Sequence, residues 1–101
     1  MNVLFICNQG KNRSKTAAAL FSDRFNTRSA GLYSRNSVNA DQLLWADVVI
    51  VMEDRHRAEI AERFPTVYIQ KRILVTGIPD IYRHGQPELV HLLNAKIPEL
   101  L

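Results

Sequence analysis

The chain has 101 residues, enough for one core and one domain, 1–101, and too few for two. A hydrophobic share of 47% and a charged share of 23% are ordinary for a globular protein, and no apolar run reaches the about 18 residues of a membrane span. The net charge of +3 is uneven: residues 1–40 carry six basic side chains against one acid, Asp23, while the rest carries seven basic and nine acidic groups.

That asymmetry points either to an anionic ligand near the N-terminal half or to a solvated basic face. An aromatic content of 8%, without interleaved basic and aromatic residues, gives nucleic acid no positive support and leaves it open. The start, MNVLFICNQG, lacks a charged n-region and a small-residue cleavage site, so no signal peptide is expected. With one cysteine there is no internal disulfide, and a free thiol fits a reducing, cytoplasmic setting.

In chain order, residues 3–6 (VLFI) are a continuous apolar run, as expected of a strand covered on both faces. Residues 14–25 place Ala17, Leu20, Phe21 and Phe25 at helical spacing behind Ser14 as the cap. Residues 27–37 read as loop, with room for a short strand before Gly31, and 40–46 (ADQLLWA) as a short helix. DVVIVM, 47–52, is the clearest strand, apolar and β-branched. A helix over 54–63 follows, with Ile60, Ala61 and Phe64 inward and Pro65 as its stop. RILVTGI, 72–78, predicts the last strand, and Pro87 opens a final helix with Leu89, Leu92 and Leu93. Trp45 and Met52 read as core.

Alternating strands and helices predict an α/β fold. It is a three-layer, doubly wound parallel sheet of about four strands with helices on both faces. Ligands of such sheets bind at the carboxyl ends of the strands. Cys7 and Asp80 both fall just past such an end and can meet on one edge.

Between strand and helix lies C-x5-R: Cys7, then Asn8, Gln9, Gly10, Lys11, Asn12, then Arg13 and Ser14. Five intervening residues let the backbone curl so that several N–H groups point inward and form an anion nest. The following helix adds its unpaired N–H groups and the positive end of its dipole, which also favours thiolate over thiol. The planar fork of Arg13 can grip two phosphoryl oxygens where a lysine could not. Ser14 can donate to the sulfur, and Gly10 can take positive φ. The competing reading is a turn that happens to contain a buried cysteine and an arginine.

These residues resemble the low-molecular-weight protein tyrosine phosphatase family. The likeness rests on VLFICNQGKNRS for the first strand and phosphate loop, SAG at 29–31, ADVVIVME at 46–53 and PDIY at 79–82. The chain is about one third shorter than typical members, and the missing length falls mainly between Gly31 and Asp41. The resemblance implies a cysteinyl-phosphate intermediate, no metal and no cofactor. Departures are Gln9 and Gly10, where the family usually has glycine and asparagine, Asn12 for a frequent second cysteine, Lys15 for proline, and Ile81 for the proline of its Asp-Pro-aromatic motif.

The expected site is therefore Cys7 as nucleophile, Arg13 as clamp and Asp80 as general acid, with Asn8, Gln9, Gly10, Lys11, Asn12, Arg13, Ser14 and Tyr82 binding the substrate. A carboxyl near the apical position can protonate the leaving oxygen and then activate water; alone, Pro79-Asp80 also reads as an ordinary turn. Tyr82 and Tyr33 either wall an aromatic substrate or are plain loop tyrosines. His56, His84 and His91 show no ligand spacing and read as surface or helix residues. The expected partner is a phosphorylated protein or small molecule, with a phosphate- or sulfate-type anion in the loop and no membrane. Two alternatives are a phospho-ligand binding module with little turnover and an arsenate reductase that borrows an external thiol.

Overall fold

The computed structural model describes residues 1–101. The run VLFIC closes β1, Asn2–Cys7, and the β-branched run VVIV is β3, Val48–Val51; both are buried on each face. With β2, Asn26–Gly31, and β4, Arg72–Val75, they form one parallel sheet in the order β2-β1-β3-β4. Pairing runs Asn2 to Cys7 against Asn26 to Gly31 on one side of β1, and Val3 to Ile6 against Val48 to Val51 on the other.

The period-2 pleat sends alternate side chains of β1 and β3 to opposite faces. Val3, Phe5, Cys7, Val48, Ile50 and Met52 pack with α1, Arg13–Leu20, and α5, Pro87–Leu100. Leu4, Ile6, Val49 and Val51 face α2, Ala40–Trp45, and Ile60 of α3, Asp54–Arg63. A short α4, Pro65–Tyr68, follows α3 on the same face. The result is the expected three-layer, doubly wound α/β architecture. Because the chain leaves β1 for β2 on one side and reaches β3 on the other, the end of β1 is the topological switch point, where such sheets bind ligands.

Several boundaries differ from the sequence reading. The helix expected over 14–25 begins at Arg13 with Asn12 as N-cap and ends at Leu20, so Ser14 sits inside the first turn and is not the cap. Phe21 and Phe25 keep the helical spacing because they line the turn that follows, their rings 6.4 Å apart. The segment read mainly as loop carries six residues of strand, NTRSAG, whose polar side chains alternate outward on an edge. The last strand stops at Val75, since Gly77 takes φ of 75° and turns the chain before Ile78. Trp45 is not core: it is half-buried at the sheet margin with the Arg28 guanidinium 4.1 Å from its ring centroid. Met52 is fully buried.

Candidate functional site

Cys7, the last residue of β1, opens a loop that runs to α1 at Arg13. The loop lies against the end of β2, and two glycines make that possible. Gly10 has φ of 71°, and a β-carbon there would come within 2.9 Å of the Ala30 carbonyl carbon and the Gly31 nitrogen. A β-carbon on Gly31 would sit 2.5 Å from the Gln9 carbonyl carbon. SAG at 29–31 is thus the shelf on which the loop rests.

None of the backbone N–H groups from Asn8 to Asn12 donates to another backbone carbonyl. The Cys7 sulfur lies 3.1 Å from the Ser14 hydroxyl, which is placed to donate to it. Around this sulfur is a cavity of about 200 Å³ lined by Cys7, Asn8, Gln9, Lys11, Asn12 and Asp80.

Arg13 is fully buried, an expensive place for a cation unless it is paired. Its Nη1 donates to Glu53 Oε2 at 2.6 Å and to the Ile78 carbonyl at 2.7 Å. Nε and Nη2, buried as well, have no hydrogen-bond partner. The Glu53 side holds the guanidinium in place; the side-on fork of Nε and Nη2 makes no hydrogen bond. Such a fork matches two oxygens of a tetrahedral oxyanion. Burial pushes the Glu53 carboxyl up, but hydrogen bonds from Arg13 and Arg55 outweigh it and hold the group below its usual range.

Asp80, half-exposed, closes the other side. Its Oδ2 accepts from the Asn8 side-chain amide at 2.9 Å, and its Oδ1 lies 3.7 Å from Arg13 Nε. Its segment is tied down at both ends. Ile78 offers its carbonyl to Arg13, while the N–H groups of His84 and Gly85 donate to Asn12 Oδ1 and Thr16 Oγ1 at 3.1 and 2.9 Å. Asn12 therefore latches the two loops together.

The structure brings Cys7, Asn8, Gln9, Lys11, Asn12 and Asp80 around one cavity, with Gly10, Arg13 and Ser14 directly behind it. Tyr82 is placed elsewhere. It packs against the core and lines a neighbouring hollow with Pro87, Glu88, His91 and Leu92. Tyr33 is exposed beneath the Arg63 guanidinium. No aromatic side chain walls the cavity around Cys7.

Glu53 and His56 were not expected there. His56, read from sequence as a surface or helix residue, is fully buried in the first turn of α3. Its Nδ1 accepts the Glu53 N–H at 3.1 Å, which leaves the proton on Nε2 to donate to Asn8 Oδ1 at 2.7 Å. Arg55 Nη2 donates to the same oxygen at 2.9 Å. Asn8 is thereby oriented with its amide nitrogen toward Asp80. The available signal was position: MEDRH directly follows the carboxyl end of β3, the edge where ligands of such sheets bind.

Burial, and then the nearby Arg13 charge, lower the His56 pKa from 6.5 to about 4, with Glu53 and Asp80 opposing and Arg55 reinforcing the shift. The unfolded chain therefore takes the proton first. Stability is complete above about pH 6.5 and falls as the pH drops toward 4, by up to about 1.4 kcal/mol per pH unit. Urea unfolding at pH 7, about 6 and about 5 should show this decline, and His56→Gln should flatten it. An equal decline in the variant would assign the loss to other groups.

No family model matches the chain, and no curated protein matches its sequence. Solved structures do share the fold. The tyrosine phosphatase Wzb from Escherichia coli, in complex with phosphate, has a TM-score of 0.79 at 18% identity, over 97% of this chain and 94% of that one. A low-molecular-weight phosphotyrosine phosphatase from Vibrio cholerae gives 0.82 at 16% identity, over 99% and 94%. The YwlE arginine phosphatase from Geobacillus stearothermophilus gives 0.68 at 22% identity, over 98% and 84%. The chain has the fold of these phosphatases throughout. No helix is long and apolar enough to cross a membrane.

Proposed function

We propose that this chain is a shortened member of the low-molecular-weight protein tyrosine phosphatase family and hydrolyses phosphate monoesters through a cysteinyl-phosphate intermediate. The observation that carries this reading is the buried Arg13. Its inner nitrogen is anchored to Glu53 and Ile78, while its buried Nε and Nη2 make no hydrogen bond and have only the Asp80 carboxylate, 3.7 Å from Nε, nearby. A buried pair of unmatched charged donors is costly, and a tetrahedral dianion matches it.

In this reading the Cys7 thiolate attacks phosphorus in line with the departing oxygen. The S–P bond forms as the ester P–O bond breaks, and Asp80 gives its proton to the leaving oxygen. Arg13 and the N–H groups of Asn8 to Asn12 hold the three equatorial oxygens where charge gathers. Asp80, now a carboxylate, then takes a proton from water, whose oxygen attacks phosphorus and releases Cys7 and inorganic phosphate. Ser14 supports the sulfur as it leaves. No cofactor or metal takes part in this scheme. The resemblance in sequence, the shared fold and a phosphate-bound neighbour support it; the cytoplasm is the setting a lone thiol favours.

Arg13→Lys tests the reading. Lysine can keep the ion pair with Glu53 but has no fork, so kcat/KM for p-nitrophenyl phosphate should fall about 10²- to 10³-fold, with phosphate binding weakened in parallel. Unchanged turnover would show that Arg13 does not meet the substrate and would sink the assignment.

A further inference from the structure

Beside the cysteine cavity lies a second hollow, of about 470 Å³, lined by the loop residues Gln9, Gly10 and Lys11, the β2 end at 29–31, and Ser34, Arg35 and Asn36 of the following turn. The two share Gln9 and Lys11, so they are separated by one wall of loop. That proximity follows from Gly10 and Gly31, whose missing β-carbons let the loop settle on β2.

The charge of this hollow is one-sided. Lys11 and Arg35 line it, and no carboxylate does. Other arginines of this edge are engaged: Arg13 and Arg55 with Glu53, Arg63 with Glu59. Lys11 and Arg35 appear in no ion pair, hydrogen bond or stacked ring. The remaining lining is hydroxyl, amide and backbone, groups that can donate to an anion but cannot neutralise one.

We infer that this hollow holds a second anionic group of the substrate, so that the chain prefers phosphate monoesters bearing another phosphoryl or carboxylate group a few bonds from the ester. The inference rests on the phosphatase reading of Cys7 and adds a substrate class to it. With the ester phosphoryl over Cys7, a short linker crosses the Gln9–Lys11 wall, and the second anion meets Lys11 and Arg35. The absence of aromatic walls around Cys7 agrees with a substrate gripped by charge beyond the ester and not by ring stacking at it.

The test needs no turnover. The full chain is titrated calorimetrically with a short alkylphosphonate, the matching α,ω-alkanediyl bisphosphonate, and an ω-carboxyalkylphosphonate. A doubly anionic probe should bind about tenfold or more tightly than the single phosphonate, as expected of an added charge-assisted contact. The bisphosphonate and carboxylate arms tell which second anion is preferred. Arg35→Ala should erase that advantage while leaving alkylphosphonate affinity unchanged. Lys96→Ala, in the C-terminal half of α5, removes the same charge from another surface and should keep it. Equal affinity for single and double anions, or equal losses in the two variants, would overturn the subsite. Turnover of p-nitrophenyl phosphate by Arg35→Ala is read separately. If the unmodified protein does not turn it over, the catalytic reading fails, while the titration still decides the subsite.

Discussion

Replacing Cys7 with serine is expected to abolish turnover of every phosphate ester, a loss on the order of 10⁴-fold or more. A serine hydroxyl is a far weaker nucleophile than a thiolate unless a base takes its proton. The group hydrogen-bonded to the Cys7 sulfur is the Ser14 hydroxyl at 3.1 Å, which is not a base. Histidine does not replace it: His56 spends Nδ1 on the Glu53 N–H and Nε2 on Asn8, and His84 lies against Thr16. The variant should still fold, because oxygen is smaller than sulfur in a position buried between β1 and α1. It should also still bind phosphate, because Arg13 and the loop N–H groups are untouched. Loss of turnover with binding kept assigns Cys7 to chemistry. Loss of both would assign it to the shape of the loop.

Asp80→Asn should produce an effect that depends on what leaves. An alkyl alkoxide is too basic to depart unprotonated, so alkyl esters should slow toward the upper end of the 10²- to 10⁴-fold typical of acid catalysis. p-Nitrophenolate carries its own charge, so its release in the first turnover should suffer much less. Attack by water on the phosphocysteine would still lack a base. Rapid mixing should therefore record a burst of p-nitrophenol followed by slow turnover. The substitution keeps the contact with Asn8 and gives up the ion pair of Oδ1 with Arg13 Nε at 3.7 Å. The carboxylate accepts from Asn8 at 2.9 Å, and the carboxamide oxygen can accept the same bond. A burst slowed equally for good and poor leaving groups would make Asp80 a group that positions Asn8 and not a proton donor.

The sheet was legible because its central strands are unambiguous: VLFI and VVIVM have no polar face to misread, and both are buried on both sides. The edge strand β2 was legible only in part, since NTRSAG earns its place by backbone pairing with β1 and by the shelf it offers the loop. No propensity marks that. At the start of α1 Asn12 and not Ser14 takes the N-cap position; Ser14 meets the sulfur as expected, while the Asn12 side chain accepts from the His84 N–H.

Cys7 ends β1, Arg13 opens α1 and Asp80 lies in the loop between β4 and α5, and the three meet on one sheet edge. Tyr82, only two residues past Asp80, faces the neighbouring hollow, since Asp80 is turned toward Asn8 and the ring packs on the core. Glu53 and His56 were missed for a different reason. Their role is to hold Arg13 and Asn8 from behind, and residues that act through others leave no spacing motif of their own.

In the proposed mechanism phosphate passes through Cys7. Asp80→Asn, mixed rapidly with excess p-nitrophenyl phosphate and quenched after the burst, should carry one phosphoryl group per chain, found by peptide mass spectrometry on Cys7. The adduct should appear at the rate of p-nitrophenol release, a burst that Cys7→Ser should not show. A burst with no adduct on Cys7, or an adduct on another residue, would rule out a cysteinyl-phosphate intermediate.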